Sequence, residues 1–134
     1  MSHLMLTHPA TQLNKIAAEL CQRIGAHAVT EITGFGLLGH ALEMAQASHV
    51  GLVLEYNTIP IIPEAIETTS QGFVPGGTKA NHLYSAPNVD YASHLTHDQQ
   101  LLLTDPQTSG GLLIALPEEN VTQMQTELAD TGVA

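Results

Sequence analysis

Apolar residues recur three and four positions apart between Pro9 and Ile24, at Leu13, Ile16, Ala17, Leu20, Cys21 and Ile24. That is the repeat of a helix that buries one face. Thr7 is placed to cap its start and Gly25 to follow its end. "AHAVTEI" then predicts a short strand, and "GFGLLGHALEMAQAS" a second helix with Leu37, Leu38, Ala41, Leu42 and Ala45 along one stripe. In "GLVLEY", Leu52, Leu54 and Tyr56 alternate with Val53 and Glu55, a period of two that predicts another strand. Pro60 and Pro63 bar a helix before position 63, where Pro63 can open a short one. From Phe73 to Asn88 turn residues are dense and no period holds, so a long ordered loop is expected, of the kind more often functional than idle. Thr96 and Gln99 stand at capping-box spacing ahead of a short helix from His97 to about Leu103. "SGGLLIALP" reads as a strand, and "EENVTQMQTELADTG" as a last helix with Val121, Met124 and Leu128 inward and Gly132 beyond its end.

Strands and helices alternate without a repeated period, which indicates an α+β (layered α/β) fold, a sheet of mixed direction covered by helices. At 134 residues a single domain spanning 1–134 is expected. The chain stops at "VA" after a helix closed by Gly132, where another strand would ordinarily follow, so C-terminal strands are expected to be truncated.

Composition narrows the function. With 43% hydrophobic residues and no Trp, the chain reads as a soluble globular domain with an aliphatic core. Three Lys and Arg against 13 Asp and Glu give a net charge of -10, which repels polyanions, so nucleic acid is excluded as a partner. An anionic ligand would have to be met by backbone N–H groups, helix N-termini and divalent cations. Cys21 is the one cysteine, which rules out an internal disulfide, suits a reducing compartment and predicts a buried thiol. There is no signal-peptide pattern and no apolar run of membrane-spanning length, so a cytoplasmic protein without a membrane partner is expected.

Two segments gather an acid, hydroxyls and glycines at an element boundary. In "VTEITGFGLLGH", Gly34 and Gly36 let the backbone turn and approach a ligand at a helix N-terminus, Thr33 adds a hydroxyl, and Glu31 ends the strand where a hard cation could bridge to a phosphate. The spacing is neither G-x-G-x-x-G nor a P-loop, and glycines that merely pack a helix explain it almost as well. In "TDPQTSGGLLIAL", Asp105-Pro106 opens a turn, Thr108 and Ser109 offer hydroxyls, and Gly110-Gly111 admits close approach; a tight turn into a buried strand is the rival reading. A third stretch, "VPGGT", is followed by Lys79 and Asn81, with Lys79 either an anion contact or a solvated loop residue. His94 and His97 lie three apart without a third ligand at zinc spacing, and His40 reads as a packed or surface residue.

"VTEITGFGLLGHALEMA", "VPGGTKAN" and "DPQTSGGLLIALP", in this order and preceded by "QLNKIAAEL", closely resemble the C-terminal domain of the selenophosphate synthetase (selenide, water dikinase) family. The resemblance runs from about Leu13 to Leu116. It belongs to the wider aminoimidazole ribonucleotide synthetase superfamily, whose thiamine-monophosphate kinases and a hydrogenase maturation protein share the "QTSGGLL"-like corner. It implies an enzyme that makes selenophosphate, AMP and phosphate from selenide, ATP and water, with Mg²⁺ and a monovalent cation, as a homodimer. It also implies that the reactive Cys or selenocysteine, its Lys and most Mg²⁺-binding aspartates belong to an N-terminal domain that is not in this chain. No catalytic residue is then expected here, and the chain alone should be inactive. Thr33, Gly34, Gly36, Thr108, Ser109, Gly110 and Gly111 become nucleotide and phosphate contacts, and Glu31 a metal ligand where the family typically carries Asp in "TDVTGFG". The alternatives are a non-catalytic binding or assembly module, for which Glu31 in place of Asp argues, or another ATP-dependent kinase or synthetase of the superfamily.

Overall fold

The computed structural model describes residues 2–6, 14–108 and 110–131. Thr7, Pro9, Leu13, Ser109 and Gly132 lie outside them. In chain order the elements are β1 (Ser2–Leu6), α1 (Lys15–Ile24), β2 (Ala28–Glu31), α2 (Gly36–Ser48), α3 (Pro63–Ser70), α4 (Gly76–Ser85), α5 (His97–Leu102), β3 (Leu112–Pro117) and α6 (Val121–Asp130). They form two compact units, one of residues 1–32 with 109–134, the other of residues 33–108.

In the first unit β3 is the central strand, paired antiparallel with β1 on one side and β2 on the other. Its register sets Leu113 against Leu6 and Leu112 against Glu31. Leu112 to Leu116 are buried without a break, as a strand covered on both faces demands. The amphipathic periods read above give α1 and α6, and these helices bury Ala17, Leu20, Cys21, Ile24, Met124 and Leu128 with Leu112, Ile114 and Leu116 in one core. Each large aliphatic side chain there contributes about 1.5–3 kcal/mol. Gly25 ends α1 in the left-handed region at φ 86°, and the Asn120 side-chain amide donates to the Ile24 carbonyl at 2.8 Å, so an orphan carbonyl of the last turn is satisfied. Arg23 and Glu127 join α1 to α6 by an ion pair.

The second unit is helical. Here α2 packs on α4, and α5 packs on α3 and α4. Thr96 and Gln99 form the capping box of α5 reciprocally, and Pro63 stands in the first turn of α3. Helix α2 closes on His49 at φ 52°, a left-handed position that costs a side chain about 1–2 kcal/mol. His49→Gly should therefore raise stability by about 0.5–1 kcal/mol, read as a higher urea midpoint at unchanged slope.

The α+β class holds, with both strand pairings among the described residues antiparallel where a sheet of mixed direction was expected. Two local expectations change, and one strand is added. "GLVLEY" is no strand: residues 51–55 carry no ladder, and a 3-10 turn follows at Tyr56–Thr58. The alternation itself is real, since Leu52, Leu54 and Tyr56 are half-buried while Val53 is 84% exposed, but no neighbouring strand takes its backbone. The expected loop from Phe73 to Asn88 is largely α4, followed by a 3-10 turn. Tertiary bonds, described below, override the poor helix propensity of Gly76 and Gly77. Finally β1 forms from "SHLML", too short a run to show a period.

Cys21 is buried as expected, and burial pushes its thiol above the ordinary value. Tyr91, whose buried hydroxyl lacks a hydrogen bond of good geometry among the described residues, is likewise pushed up by burial, against a smaller opposing contribution from Ser85. Below the ordinary thiol value neither group is ionised in either state. As pH rises through it, the unfolded chain sheds protons that the folded chain keeps, so folding weakens. The contribution of these two groups should be level from neutral pH up to about pH 8 and then fall, first through Cys21 and above about pH 10 through Tyr91 too, as urea midpoints across that alkaline range would report.

Candidate functional site

In the helical unit the chain reverses at Thr33–Gly36. The Thr33 carbonyl accepts two amides, from Gly36 at 3.0 Å and Gln107 at 3.0 Å, and so ties the turn to the "TDPQT" segment. Gly36 sits at φ 69°, and a Cβ there would lie 2.6 Å from the Thr104 carbonyl carbon and 2.9 Å from the Asp105 oxygen. Gly34 is different: its Cβ would meet nothing within 4 Å. Asn81 on α4 donates to the carbonyls of Gly34 (2.8 Å) and Thr104 (3.0 Å), holding turn and segment together.

The Asp105 carboxylate is consumed locally. One oxygen accepts from the Thr78 hydroxyl at 2.7 Å and the other from the Gln107 side chain at 2.8 Å. Thr104, fully buried, donates to the carbonyls of Leu101 (2.9 Å) and Thr78 (3.3 Å). These bonds and the contact of Gly77 with Pro106, 2.9 Å from a notional Cβ, are why "VPGGT" folds as the start of a helix. Thr33 and His40 are joined at 3.0 Å, and the far ring nitrogen of His40 lies 3.3 Å from Glu43. Thr108 is exposed.

In the sheet unit Glu31 ends β2 with its carboxylate exposed, and the Asn14 amide donates to Oε1 at 2.7 Å and to the Gly110 carbonyl at 3.3 Å. Ile32 donates to the Gly111 carbonyl at 2.9 Å, and Gly110 lies so close that a Cβ would stand 2.1 Å from the Ile32 oxygen. The glycines at Gly36 and Gly110 are thus required by backbone packing, whereas Gly34 is free of that demand. The expected open helix N-terminus is in part spent internally, since Gly36 donates to Thr33 and Leu38 to the Leu103 carbonyl at 3.0 Å.

Among the described residues no group of three or more His, Cys, Asp or Glu is arranged to hold a metal, and His94 and His97 form no such set. Glu31 is nevertheless a hard oxygen donor whose second oxygen has no partner among the described residues, which fits one ligand of a Mg²⁺ completed by phosphates and other donors. Lys79 is exposed on α4 and makes no ion pair among the described residues. No helix of the described residues is long and apolar enough to cross a membrane.

The family described as AIR synthase related protein, C-terminal domain, matches residues 4–134. The chain belongs to this family. As an AIR synthase related C-terminal domain it is similar to proteins named selenide, water dikinase. That of Pseudomonas straminea is 40% identical over 124 residues, covering 92% of this chain and 35% of the relative. That of Clostridioides difficile (strain 630) is 42% identical over 120 residues, covering 90% and 34%. That of Rhizobium meliloti (strain 1021) is 45% identical over 109 residues, covering 81% and 31%. The chain therefore spans about a third of the length of these curated relatives.

The sequence did not mark Asn14 as a structural partner in the sheet unit, nor Thr78, Asn81, Asp105 and Gln107 as partners in the helical unit, and His40 read as a packed or surface residue. The i, i+3 spacing of His40 and Glu43 on one helix was visible, and so was Thr33 seven residues before His40. Asn14 carried no such signal, because the apolar repeat from Pro9 to Ile24 put it inside the expected helix, whereas it stands just before α1 and its side chain goes to Glu31.

Proposed function

We propose that this chain is the C-terminal domain of a two-domain selenophosphate synthetase, and that it supplies one wall of an ATP and Mg²⁺ site. The observation that carries the reading is the match along 92% of the chain to a selenide, water dikinase of which it spans only 35%. The partner of the wall is then an N-terminal domain bearing the catalytic Cys or selenocysteine and Lys, with ATP and selenide as substrates, a homodimer as the assembly and the cytoplasm as its place. Exposed Phe73, Leu83 and Tyr84 support a surface that a partner covers.

In this reading Glu31 holds Mg²⁺ by the oxygen that Asn14 leaves unpaired, and the ion, when bound, neutralises phosphate charge. The backbone at Thr33, Gly34 and Gly36 and the residues Thr108, Ser109, Gly110 and Gly111 receive the phosphates. Gly34 supports this best, because no packing demand explains its lack of a side chain. A net charge of -10 leaves backbone amides and the cation as the means of holding polyphosphate. Phosphoryl transfer is then helped by position and electrostatics, with no nucleophile from this chain.

The rival, a binding or assembly module that has lost the chemistry, rests on Glu31 where the family typically has Asp. Grafting this chain in place of the matched third of the Pseudomonas straminea protein separates the two by calorimetry. The proposal expects ATP to bind with an affinity that rises when Mg²⁺ is added; a well-folded graft that binds no ATP would refute it.

A further inference from the structure

His40 is 8% exposed, and the ring of Phe35 lies against it at 5.7 Å between centroids. Its two nitrogens face different chemistry. Nδ1 is 3.3 Å from the Glu43 Oε2, and an ionised carboxylate favours a proton on the ring nitrogen that faces it. In the neutral ring Nε2 is then a bare acceptor. Its partner is the Thr33 hydroxyl at 3.0 Å, which must donate.

We propose that His40 is a positioning residue, biased by Glu43 toward the Nδ1–H tautomer, whose Nε2 accepts the hydrogen bond of the Thr33 hydroxyl and so leaves Thr33 an acceptor toward any ligand. A phosphate oxygen also only accepts, and it finds no donor on this side chain. The lone pairs of the Thr33 oxygen are left for a hard cation or a donor, and any phosphate at the corner is met by the backbone. The inference rests on the reading of this corner as ligand-facing and changes what Thr33 does there.

Long-range proton–nitrogen NMR of the His40 ring, on this chain without nucleotide, tests it. The expected spectrum is that of the Nδ1–H tautomer. In Thr33→Val the Nε2 resonance should move to that of a nitrogen without a hydrogen bond, and in Thr33→Ser it should return. Glu43→Gln should lower the Nδ1–H population. A wild-type ring protonated at Nε2 would overturn the proposal, because that ring donates to Thr33 and frees its hydroxyl for phosphate. So would an Nε2 resonance unmoved in Thr33→Val. The ring is read with no ligand present, so a graft that binds no ATP would sink the functional reading and leave this result standing.

Discussion

Gly110→Ala should abolish the folded state or cost it about 3 kcal/mol or more in urea unfolding. The added methyl would stand 2.1 Å from the Ile32 carbonyl oxygen and 2.9 Å from its carbon, atoms of the main chain with no rotamer to yield. Retreat is blocked, because Ile32 is bonded to the Gly111 carbonyl at 2.9 Å and continues directly from β2. Gly36→Ala faces the same obstacle, with a left-handed φ of 69° and the Thr104 carbonyl at 2.6 Å. Gly34→Ala is the control: nothing lies within 4 Å of its Cβ, so its stability should stay within about 0.5 kcal/mol of the parent. That contrast makes Gly34 the useful probe of a ligand. Its methyl would project into open space and can weaken ATP binding in the grafted enzyme without disturbing the fold, whereas a parent-like urea midpoint for Gly110→Ala would contradict the packing described here.

Glu31→Gln in the grafted enzyme should lower Mg²⁺-dependent turnover by about 100-fold, the scale of losing one electrostatic contact to the reacting phosphates, here the cation that Glu31 would hold. The substitution keeps size and hydrogen bonding and removes the charge that a hard cation requires. Glu31→Asp is more informative. The Glu carboxylate reaches the Asn14 amide at 2.7 Å, and shortening the side chain by about one methylene draws it away from that anchor. Turnover should fall about tenfold, even though Asp is the residue that the sequence resemblance leads one to expect there. A rise on Glu31→Asp would instead identify a site that has decayed, and would favour the assembly module.

Long-period patterns carried the fold well. The face of α1 at Ala17, Leu20, Cys21 and Ile24, the buried run of β3 and the inward Met124 and Leu128 of α6 follow from side chains whose burial the sequence spells out, though Ile16, expected on the same face, is exposed. The capping box of α5 follows from the spacing of Thr96 and Gln99. Where the deciding bonds join distant residues, the sequence was silent. Thr78 to Asp105 and Asn81 to Gly34 convert a glycine-rich stretch into α4, and "GLVLEY" has the alternation of a strand but no neighbour to pair with. The corners themselves were legible as unusual, yet their glycines divide for a reason that only geometry supplies. Gly36 and Gly110 answer to backbone contact and Gly34 does not. Asn14 was invisible as the partner of Glu31, because a polar residue inside an expected helix gives no sign that its amide turns to a strand end 17 positions on.

If this chain serves as the C-terminal domain of a selenophosphate synthetase, it should restore that activity to the rest of a relative. With the chain grafted onto the remaining two-thirds of the Pseudomonas straminea selenide, water dikinase, ATP consumption is followed with and without selenide. Selenide-dependent release of AMP and phosphate, lowered about 100-fold on Glu31→Gln, is the expected result. A folded graft that cleaves no ATP with selenide present, or cleaves it equally without, would contradict it.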